Sequence, residues 1–137
     1  MPFVLDCSVT MSWVFPDEAT GATDALRQSL VNDMAVAPVL WPLEVGNVLL
    51  VATRRGRIHM DDWKRIHHNL AVLPIEVDPE TPDRVWPAIL PLAMEYNLSV
   101  YDAAYLELAV RYQLPLATLD GELRAACRAA KIDTLLS

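Results

Sequence analysis

Hydrophobic and polar positions follow two distinct patterns along this chain. Short, almost wholly apolar runs occur at five places, a pattern typical of buried parallel strands. We expect these strands at residues 3–6, 34–37, 75–77, 116–119 and 132–135. The longer segments between them repeat apolar positions every three to four residues, which predicts amphipathic helices. We expect these helices at 9–14 (capped by Ser8), 19–32, 42–55, 60–73, 87–96, 102–112 and 122–130.

The alternation of strands and helices places the chain in the α/β class. It predicts a mostly parallel central sheet covered by helices, with ligands binding beyond the carboxyl ends of the strands. The 137 residues are the size of one ordinary domain, and no repeat or flexible linker divides them. A hydrophobic fraction of 53% and a mean hydropathy of +0.22 are sufficient for a packed core. We therefore expect one domain over residues 1–137.

Composition also bears on the cellular compartment of the protein and on the kinds of partner it binds. No apolar run is long enough to cross a bilayer, and the N-terminus lacks the basic region of a signal peptide. Cys7 and Cys127 are too few for a disulfide framework, so we interpret both as free thiols in a reducing cytoplasm. The net charge of −7 argues against a general nucleic-acid binder. It does not exclude a nuclease, because metal-binding acids add negative charge that a bound cation offsets.

Four isolated carboxylates are the main candidates for chemistry. Asp6 and Asp120 each end an apolar run, whereas Glu44 and Asp102 each lie inside one. A buried charge is costly unless it is paired or holds a metal, and few Lys or Arg residues lie in these stretches. Convergence of all four acids on one divalent cation explains them together. Such a site predicts metal-assisted cleavage of a phosphodiester bond.

Helix capping is the alternative explanation for three of these acids. Asp is a favoured N-cap, and Asp6, Asp102 and Asp120 all lie at expected helix starts. Glu44 distinguishes metal binding from capping, because we expect it beyond the first residues of its helix, where it cannot be a cap. The surrounding stretch is apolar on every side, which predicts that Glu44 and Asn47 are both buried on one shared face. In that position the Asn47 amide would orient a Glu44 metal ligand, and the alternative is a single structural hydrogen bond between the two.

Polar residues near these acids have secondary candidate roles. Ser8 and Thr118 lie two residues from Asp6 and Asp120, respectively, where they either cap helices or bind metal-bound water. Glu122 either extends the acidic group or is an ordinary first-turn acid, and Glu107 is interpreted as solvent-exposed.

The densest basic run contains Arg54, Arg55 and Arg57. These side chains are candidate contacts to an RNA backbone. A solvated helix end with arginines favourably placed at the C-terminal dipole explains them equally well.

Four segments in order along the chain resemble the motifs of the PIN domain, and within it the VapC-type toxins of toxin–antitoxin pairs. The segments are Val4-Leu5-Asp6-Cys7-Ser8-Val9, Pro38-Val39-Leu40 with Glu44-Val45-Gly46-Asn47-Val48-Leu49, Tyr101-Asp102-Ala103-Ala104-Tyr105-Leu106-Glu107-Leu108-Ala109, and Leu116-Ala117-Thr118-Leu119-Asp120. The resemblance implies a PIN-like three-layer α/β/α sandwich. It also implies a Mg²⁺- or Mn²⁺-dependent endoribonuclease that forms homodimers and is inhibited by a cognate VapB-like antitoxin.

The same resemblance assigns roles to individual residues. It implies that the metal ligands, direct or through water, are Asp6, Glu44, Asp102 and Asp120. It implies supporting roles for Ser8, Asn47 and Thr118, whereas Glu122 falls where family members vary.

Two other functions remain open from the residues. Asp6-Cys7-Ser8-Val9-Thr10 loosely resembles the opening of haloacid dehalogenases, which would make the protein a phosphatase or phosphotransferase with an aspartyl nucleophile. The second Asp of that motif is absent. A non-catalytic PIN-like module that binds RNA is the other alternative, and the presence of all four acids argues against it.

Overall fold

A five-stranded sheet lies at the centre of the protein. The computed structural model describes residues 1–136, and its strands are β1 (Phe3–Leu5), β2 (Ala35–Pro38), β3 (Ile75–Asp78), β4 (Leu116–Ala117) and β5 (Thr134–Leu135). Their order is β3-β2-β1-β4-β5, and every neighbouring pair is parallel. The predicted parallel sheet is confirmed. Strands β2 and β3 follow on one side of β1, and strands β4 and β5 lie on its other side. The strand order therefore changes side between β1 and β4, and in such sheets a crevice opens at the carboxyl ends of these two strands.

Helices cover both faces of this sheet. They are α1 (Cys7–Val14), α2 (Gly21–Ser29), α3 (Trp41–Arg54), α4 (Trp63–Ala71), α5 (Thr81–Arg84), α6 (Leu90–Tyr96), α7 (Val100–Tyr112) and α8 (Gly121–Ala129). Short 3₁₀ turns at Pro16–Glu18 and Met60–Asp62 precede α2 and α4. Right-handed crossovers place α1–α4 on one face and α5–α8 on the other. The expected three-layer α/β/α sandwich is confirmed.

The segment before α7 differs from the prediction, which began a helix only at residue 87. The helical conformation begins six residues earlier, at Thr81, and passes through a π-helical segment, Val85–Ile89, before α6. Pro87 lies inside that segment and has no amide hydrogen to donate. A wider π turn accommodates this missing donor without ending the helix. The proline therefore marks an irregularity within the helical segment and not its beginning.

Helix α7 is the central helix of the core. Every residue from Ala103 to Ala109 is buried, and Tyr105 and Leu108 are both fully inaccessible to solvent. Helix α7 contacts β1, β2 and β4, so its N-terminal turn is fixed beside the carboxyl ends of the central strands. Ser99 caps this turn by accepting a hydrogen bond from the Asp102 amide at 3.1 Å. The position of Asp102 follows from this burial and this cap.

Helix α3 is buried on only one side, contrary to the expectation from its apolar sequence. Trp41, Val45 and Ala52 face the core, and the Trp41 indole donates to Thr10 Oγ1 at 2.9 Å. Leu43, in contrast, is 79% exposed. An apolar composition therefore does not bury a helix on all sides when the fold supplies a covering layer on one side only.

Candidate active site

Asp6 lies at the carboxyl end of β1, in the crevice between β1 and β4. Its side chain is only 6% exposed, and Oδ2 accepts hydrogen bonds from Ser8 Oγ and Thr118 Oγ1, both at 2.7 Å. The Asp6 amide donates to the Ala117 carbonyl at 3.1 Å, which joins the two strand ends. Asp6 precedes α1 but makes no side-chain capping hydrogen bond. Capping therefore does not explain this buried acid.

Ser8 and Thr118 fix the loop that follows β4. Besides their bonds to Asp6, Ser8 Oγ accepts from the Leu119 amide at 2.9 Å, and Thr118 Oγ1 accepts from the Asp120 amide at 3.0 Å. The interpretation of Ser8 as the cap of α1 is wrong, because the helix begins at Cys7 and the Ser8 hydroxyl points to the neighbouring loop. Both hydroxyl residues instead join Asp6 to the loop that contains Asp120.

Glu44 lies in the first turn of α3 and is partly buried. Tyr105, from the buried part of α7, donates its hydroxyl to Glu44 Oε1 at 2.6 Å. We did not predict Tyr105 as a site residue. One signal in the sequence points to it, because Tyr105 follows Asp102 by three positions and therefore shares its helix face.

Asn47 does not occupy the place predicted for it. It is exposed on α3, and Glu44 takes its hydrogen bond from Tyr105, not from the Asn47 amide. The predicted burial was wrong because the solvent side of α3 has no covering layer within residues 1–136.

Asp102 and Asp120 enter the site from the starts of α7 and α8. Asp102 is partly buried and follows the Ser99 cap, so it is not itself the N-cap of α7. Asp120 is the N-cap of α8, and its Oδ1 accepts from the Glu122 amide at 2.8 Å and more weakly from the Leu123 amide at 3.4 Å. Capping thus accounts for one oxygen of Asp120, and Oδ2 remains for another role.

The charges of these acids raise one another's pKa values. Burial, opposed by the two hydroxyl hydrogen bonds, raises the pKa of Asp6, and repulsion from Asp120 adds to the increase. Burial together with the charges of Asp6 and Asp102 likewise raises the pKa of Glu44. The pKa of Asp102 rises to about 6 through burial and through repulsion from Asp120, Asp6 and Glu122. The structure therefore brings together the four predicted acids, with Glu122 at the margin. We call this group the acid cluster: Asp6, Glu44, Asp102, Asp120 and Glu122.

Among the described residues 1–136, no cationic side chain neutralises the acid cluster. Within residues 1–136, none of its members forms a salt bridge with Lys, Arg or His. In the same part of the chain, no three His, Cys, Asp or Glu side chains form a compact metal-binding group. The donors are all oxygen atoms, which a hard cation such as Mg²⁺ prefers, and this ion usually retains several waters between itself and the protein. The residues fit a divalent ion held partly through water.

A second group of charged residues lies at the end of β3, and we call it the ion-pair network. Its members are Asp78, Glu80, Arg84, Glu107 and Arg111. Glu107 is only 3% exposed and accepts from Arg84 Nε at 2.8 Å and from Arg111 Nη2 at 3.0 Å. The prediction that Glu107 faces solvent was wrong, because two arginines from separate segments compensate its burial.

The three arginines of the predicted RNA contact lie at and beyond the end of α3. Arg54 and Arg55 are exposed, and within residues 1–136 neither forms a salt bridge. Arg57 is held by Asp17 and Glu18, each at 2.8 Å.

The sequence model of the PIN domain matches residues 3–129, and the chain therefore belongs to the PIN domain family. PIN domains are generally metal-dependent nucleases and typically use divalent metal ions, which places this protein among the nucleases at the level of reaction class.

Solved structures share the fold. The crystal structure of PAE2754 from Pyrobaculum aerophilum has a TM-score of 0.67 and 25% sequence identity, over 92% of this chain and 87% of that chain. A toxin–antitoxin complex from Klebsiella pneumoniae has a TM-score of 0.62 at 15% identity, over 90% of each chain. A comparison with curated proteins finds no match. No helix within residues 1–136 combines the length and the apolar character needed to cross a bilayer.

Proposed function

We propose that this protein is a Mg²⁺- or Mn²⁺-dependent endoribonuclease, a VapC-type toxin that hydrolyses RNA phosphodiester bonds. The observation that carries the proposal is the acid cluster, in which four buried or partly buried carboxylates lie together with no compensating cation among residues 1–136. Such an arrangement is destabilising unless a metal ion completes it. The toxin–antitoxin complex from Klebsiella pneumoniae shares the fold of this chain and supports the assignment as a toxin.

Each residue of the site has a distinct role in this proposal. Asp6, Glu44, Asp102 and Asp120 would hold the ion directly or through water. A bound ion supplies an acidified water for attack on phosphorus and positive charge for the phosphate oxygens. Ser8 and Thr118 occupy Oδ2 of Asp6 and leave Oδ1 available. Tyr105 occupies Oε1 of Glu44 and leaves Oε2 available.

A cleavage assay on purified protein tests the proposal. We expect a single-stranded RNA 20-mer to be cut in Mg²⁺ or Mn²⁺, to leave 5′-phosphate ends, and to remain intact in chelator. Asp102→Asn should retain the fold and lower kcat by about 10²–10³-fold or more, because it removes a charged group that acts at the reacting phosphate. Asp133→Asn, at an exposed position outside the acid cluster, is the matched control. Full activity in chelator, or undiminished cleavage by Asp102→Asn, would contradict the proposal.

The acid cluster also indicates how an antitoxin would inhibit the enzyme. Without metal or RNA, the cluster attracts a basic side chain, and the planar fork of Arg pairs well with carboxylates. We propose that a VapB-like antitoxin places an Arg from a C-terminal segment, disordered when free, near Asp6, Glu44 and Asp102. Arg→Ala substitutions in that segment should weaken inhibition, and Mg²⁺ should compete with the antitoxin. If neither change alters inhibition, the antitoxin blocks RNA elsewhere.

An exposed apolar stripe supports the homodimer that the resemblance implies. Trp86, Leu90 and Met94 recur every fourth residue along the helical segment before α7 and are 79%, 41% and 87% exposed. Large exposed apolar side chains in one stripe are characteristic of protein interfaces. We propose that two copies associate through this stripe. The Trp86→Glu/Met94→Glu variant should sediment as a monomer, whereas an unchanged dimer would place the interface elsewhere.

A further inference from the structure

A surface cavity of about 260 Å³ lies beside α3. It is lined by Asn47, Val48, Val51, Ala52, Arg55 and Arg57, and we call it the α3 trough. Its first residue, Asn47, follows Glu44 by three positions and so lies on the same side of the helix. The trough therefore begins about one helical turn from the proposed metal ligands.

The wall of the trough nearest the acid cluster combines an amide with an apolar surface. The Asn47 side chain is exposed, and within residues 1–136 it makes no hydrogen bond. Val48 and Val51 are only partly buried and form an apolar floor beside it. An amide donates and accepts at once, as recognition of a nucleobase edge requires, and the apolar floor offers a surface for the flat face of the base.

The far end of the trough carries positive charge. Arg55 lines this end of the trough, and Arg54 precedes it in the last turn of α3. Both are exposed and, within residues 1–136, have no acidic partner, so their charge is available to a ligand. Arg57 is different, because its guanidinium pairs with Asp17 and Glu18 and lies 3.8 Å from the centroid of the Phe15 ring. Arg57 is therefore a fixed wall, and the charge for a phosphate comes from Arg54 and Arg55.

The length of α3 matches a short piece of an extended polynucleotide. Arg55 follows Glu44 by eleven residues, a distance of about 16 Å along the helix axis. A strand whose scissile phosphate lies at the acid cluster must continue in some direction for several nucleotides. The α3 trough offers that strand a base-sized cavity first and the unpaired Arg55 next, with the exposed Arg54 adjacent to it in sequence.

We propose that the α3 trough binds the single-stranded RNA that flanks the scissile phosphate, with Asn47 at a nucleobase and Arg54 and Arg55 at phosphates. This inference rests on the proposed ribonuclease function and names its substrate path. It also gives Asn47 a role that differs from the metal-orienting role predicted from the sequence.

Steady-state cleavage of a fluorescent, random-sequence single-stranded RNA 20-mer tests the path. The Arg54→Gln/Arg55→Gln variant should raise KM about tenfold and leave kcat within about twofold, because the lost contacts lie away from the reacting bond. The dependence of log KM on log salt should become shallower by about 1.4, since each phosphate contact to a single strand contributes about 0.7. Arg128→Gln, an exposed arginine in the last turn of α8, is the matched control and should change neither quantity.

Asn47→Leu tests the base contact separately. Sequencing of the cleaved ends should show an altered base preference at one position near the cut, with the salt dependence unchanged. An unaltered base preference would show that Asn47 does not contact a nucleobase.

The possible outcomes separate the RNA path from the nuclease function. If the wild type cleaves RNA and the double variant has the same KM and salt dependence, the path is wrong and the nuclease function stands. If the wild type binds RNA without cleaving it and the double variant binds more weakly, the path stands and the nuclease function falls. If the wild type neither cleaves nor binds RNA, both proposals are overturned.

Discussion

The acid cluster and the ion-pair network lie at the carboxyl edge of the same sheet, but their charges are compensated in different ways. In the network, the Arg111 guanidinium donates to Asp78 Oδ2 at 2.7 Å and to Glu107 Oε2 at 3.0 Å. In the acid cluster, Asp6 and Glu44 receive hydrogen bonds only from neutral hydroxyls within residues 1–136. The network is neutralised by arginines of the chain itself, whereas the described residues give the cluster no cationic partner.

The pKa values of the two groups move in opposite directions. Burial raises the pKa of Asp78, but hydrogen bonds from Arg111 and from the Glu80 amide outweigh it, so the pKa lies below its ordinary value. The pKa of Asp102 rises to about 6, because its neighbours are other acids. Glu107 is among the most buried charged residues described, so burial alone does not mark a functional acid. Within residues 1–136, the absence of a cationic partner distinguishes the acid cluster from the ion-pair network.

The largest expected effect comes from breaking the network. Arg111→Met removes the shared partner of Asp78 and Glu107, and buried charges left unpaired typically destabilise a fold by about 3–5 kcal/mol. Urea denaturation should show this loss, whereas Mn²⁺ affinity measured by calorimetry on the remaining folded protein should be unchanged. A stable Arg111→Met variant with weakened Mn²⁺ binding would show that the two groups are not independent.

Two tyrosine–glutamate hydrogen bonds allow a matched test of the site. Tyr105 donates to Glu44 in the acid cluster, and Tyr112 donates to Glu80 in the network at 3.2 Å. Loss of a partner that orients a metal ligand typically costs 10–100-fold in metal affinity or activity. Tyr105→Phe should therefore lower Mn²⁺ affinity and kcat by about this factor, with partial rescue at high Mn²⁺. Tyr112→Phe should change neither Mn²⁺ affinity nor kcat. Equal losses in the two variants would show that Tyr105 does not orient a metal ligand.

The smallest expected effect is on the stability of metal-free protein. The folded pKa of Asp102, about 6, lies above its ordinary value of 3.8. Between these values the folded state binds more protons than the unfolded state, so this group lowers stability as pH rises from about 4 to 6. Asp102→Asn should stabilise chelator-stripped protein by about 1 kcal/mol above pH 6, after discounting for solvent screening. The gain should vanish near pH 4. Thermal melts across this pH range measure it, and a gain of equal size at every pH would contradict the explanation.

Apolar patterning was sufficient to predict the architecture. The strand cores at β1 and β2 are continuous apolar runs, and their burial made them recognisable. The edge strand β3 is different, because Glu76 is exposed between the apolar Ile75 and Val77. The beginning of the helical segment at Thr81 was missed, because a proline inside a π turn resembles a helix start. The exposed side of α3 was missed as well, because hydrophobicity shows that a surface needs cover without showing what covers it.

The four acids were recognisable because each ends or interrupts an apolar run, and in the structure their charges act on one another. Their role as metal ligands stays a prediction. The partners of individual carboxylates were not predictable. Glu107 and Glu44 both lie among apolar residues, yet one meets Arg84 and Arg111 and the other meets Tyr105. Two of these three partners are distant in sequence, because Arg84 lies 23 residues from Glu107 and Tyr105 lies 61 residues from Glu44. Only Arg111, four residues from Glu107, is close to its acid. Tertiary packing decides such long-range pairs, and local sequence patterns carry no information about it.

The hydrogen bond between Thr118 and Asp6 joins residues 112 positions apart. During synthesis the ribosome adds roughly 5–20 residues per second, so roughly ten seconds separate the appearance of the first aspartate from that of the last. Throughout this interval the nascent chain has the β1 strand without its β4 neighbour, and the carboxylates cannot assemble. We expect a growing chain to be harmless to the RNA of the ribosome that makes it, and to become active only after its last third has emerged.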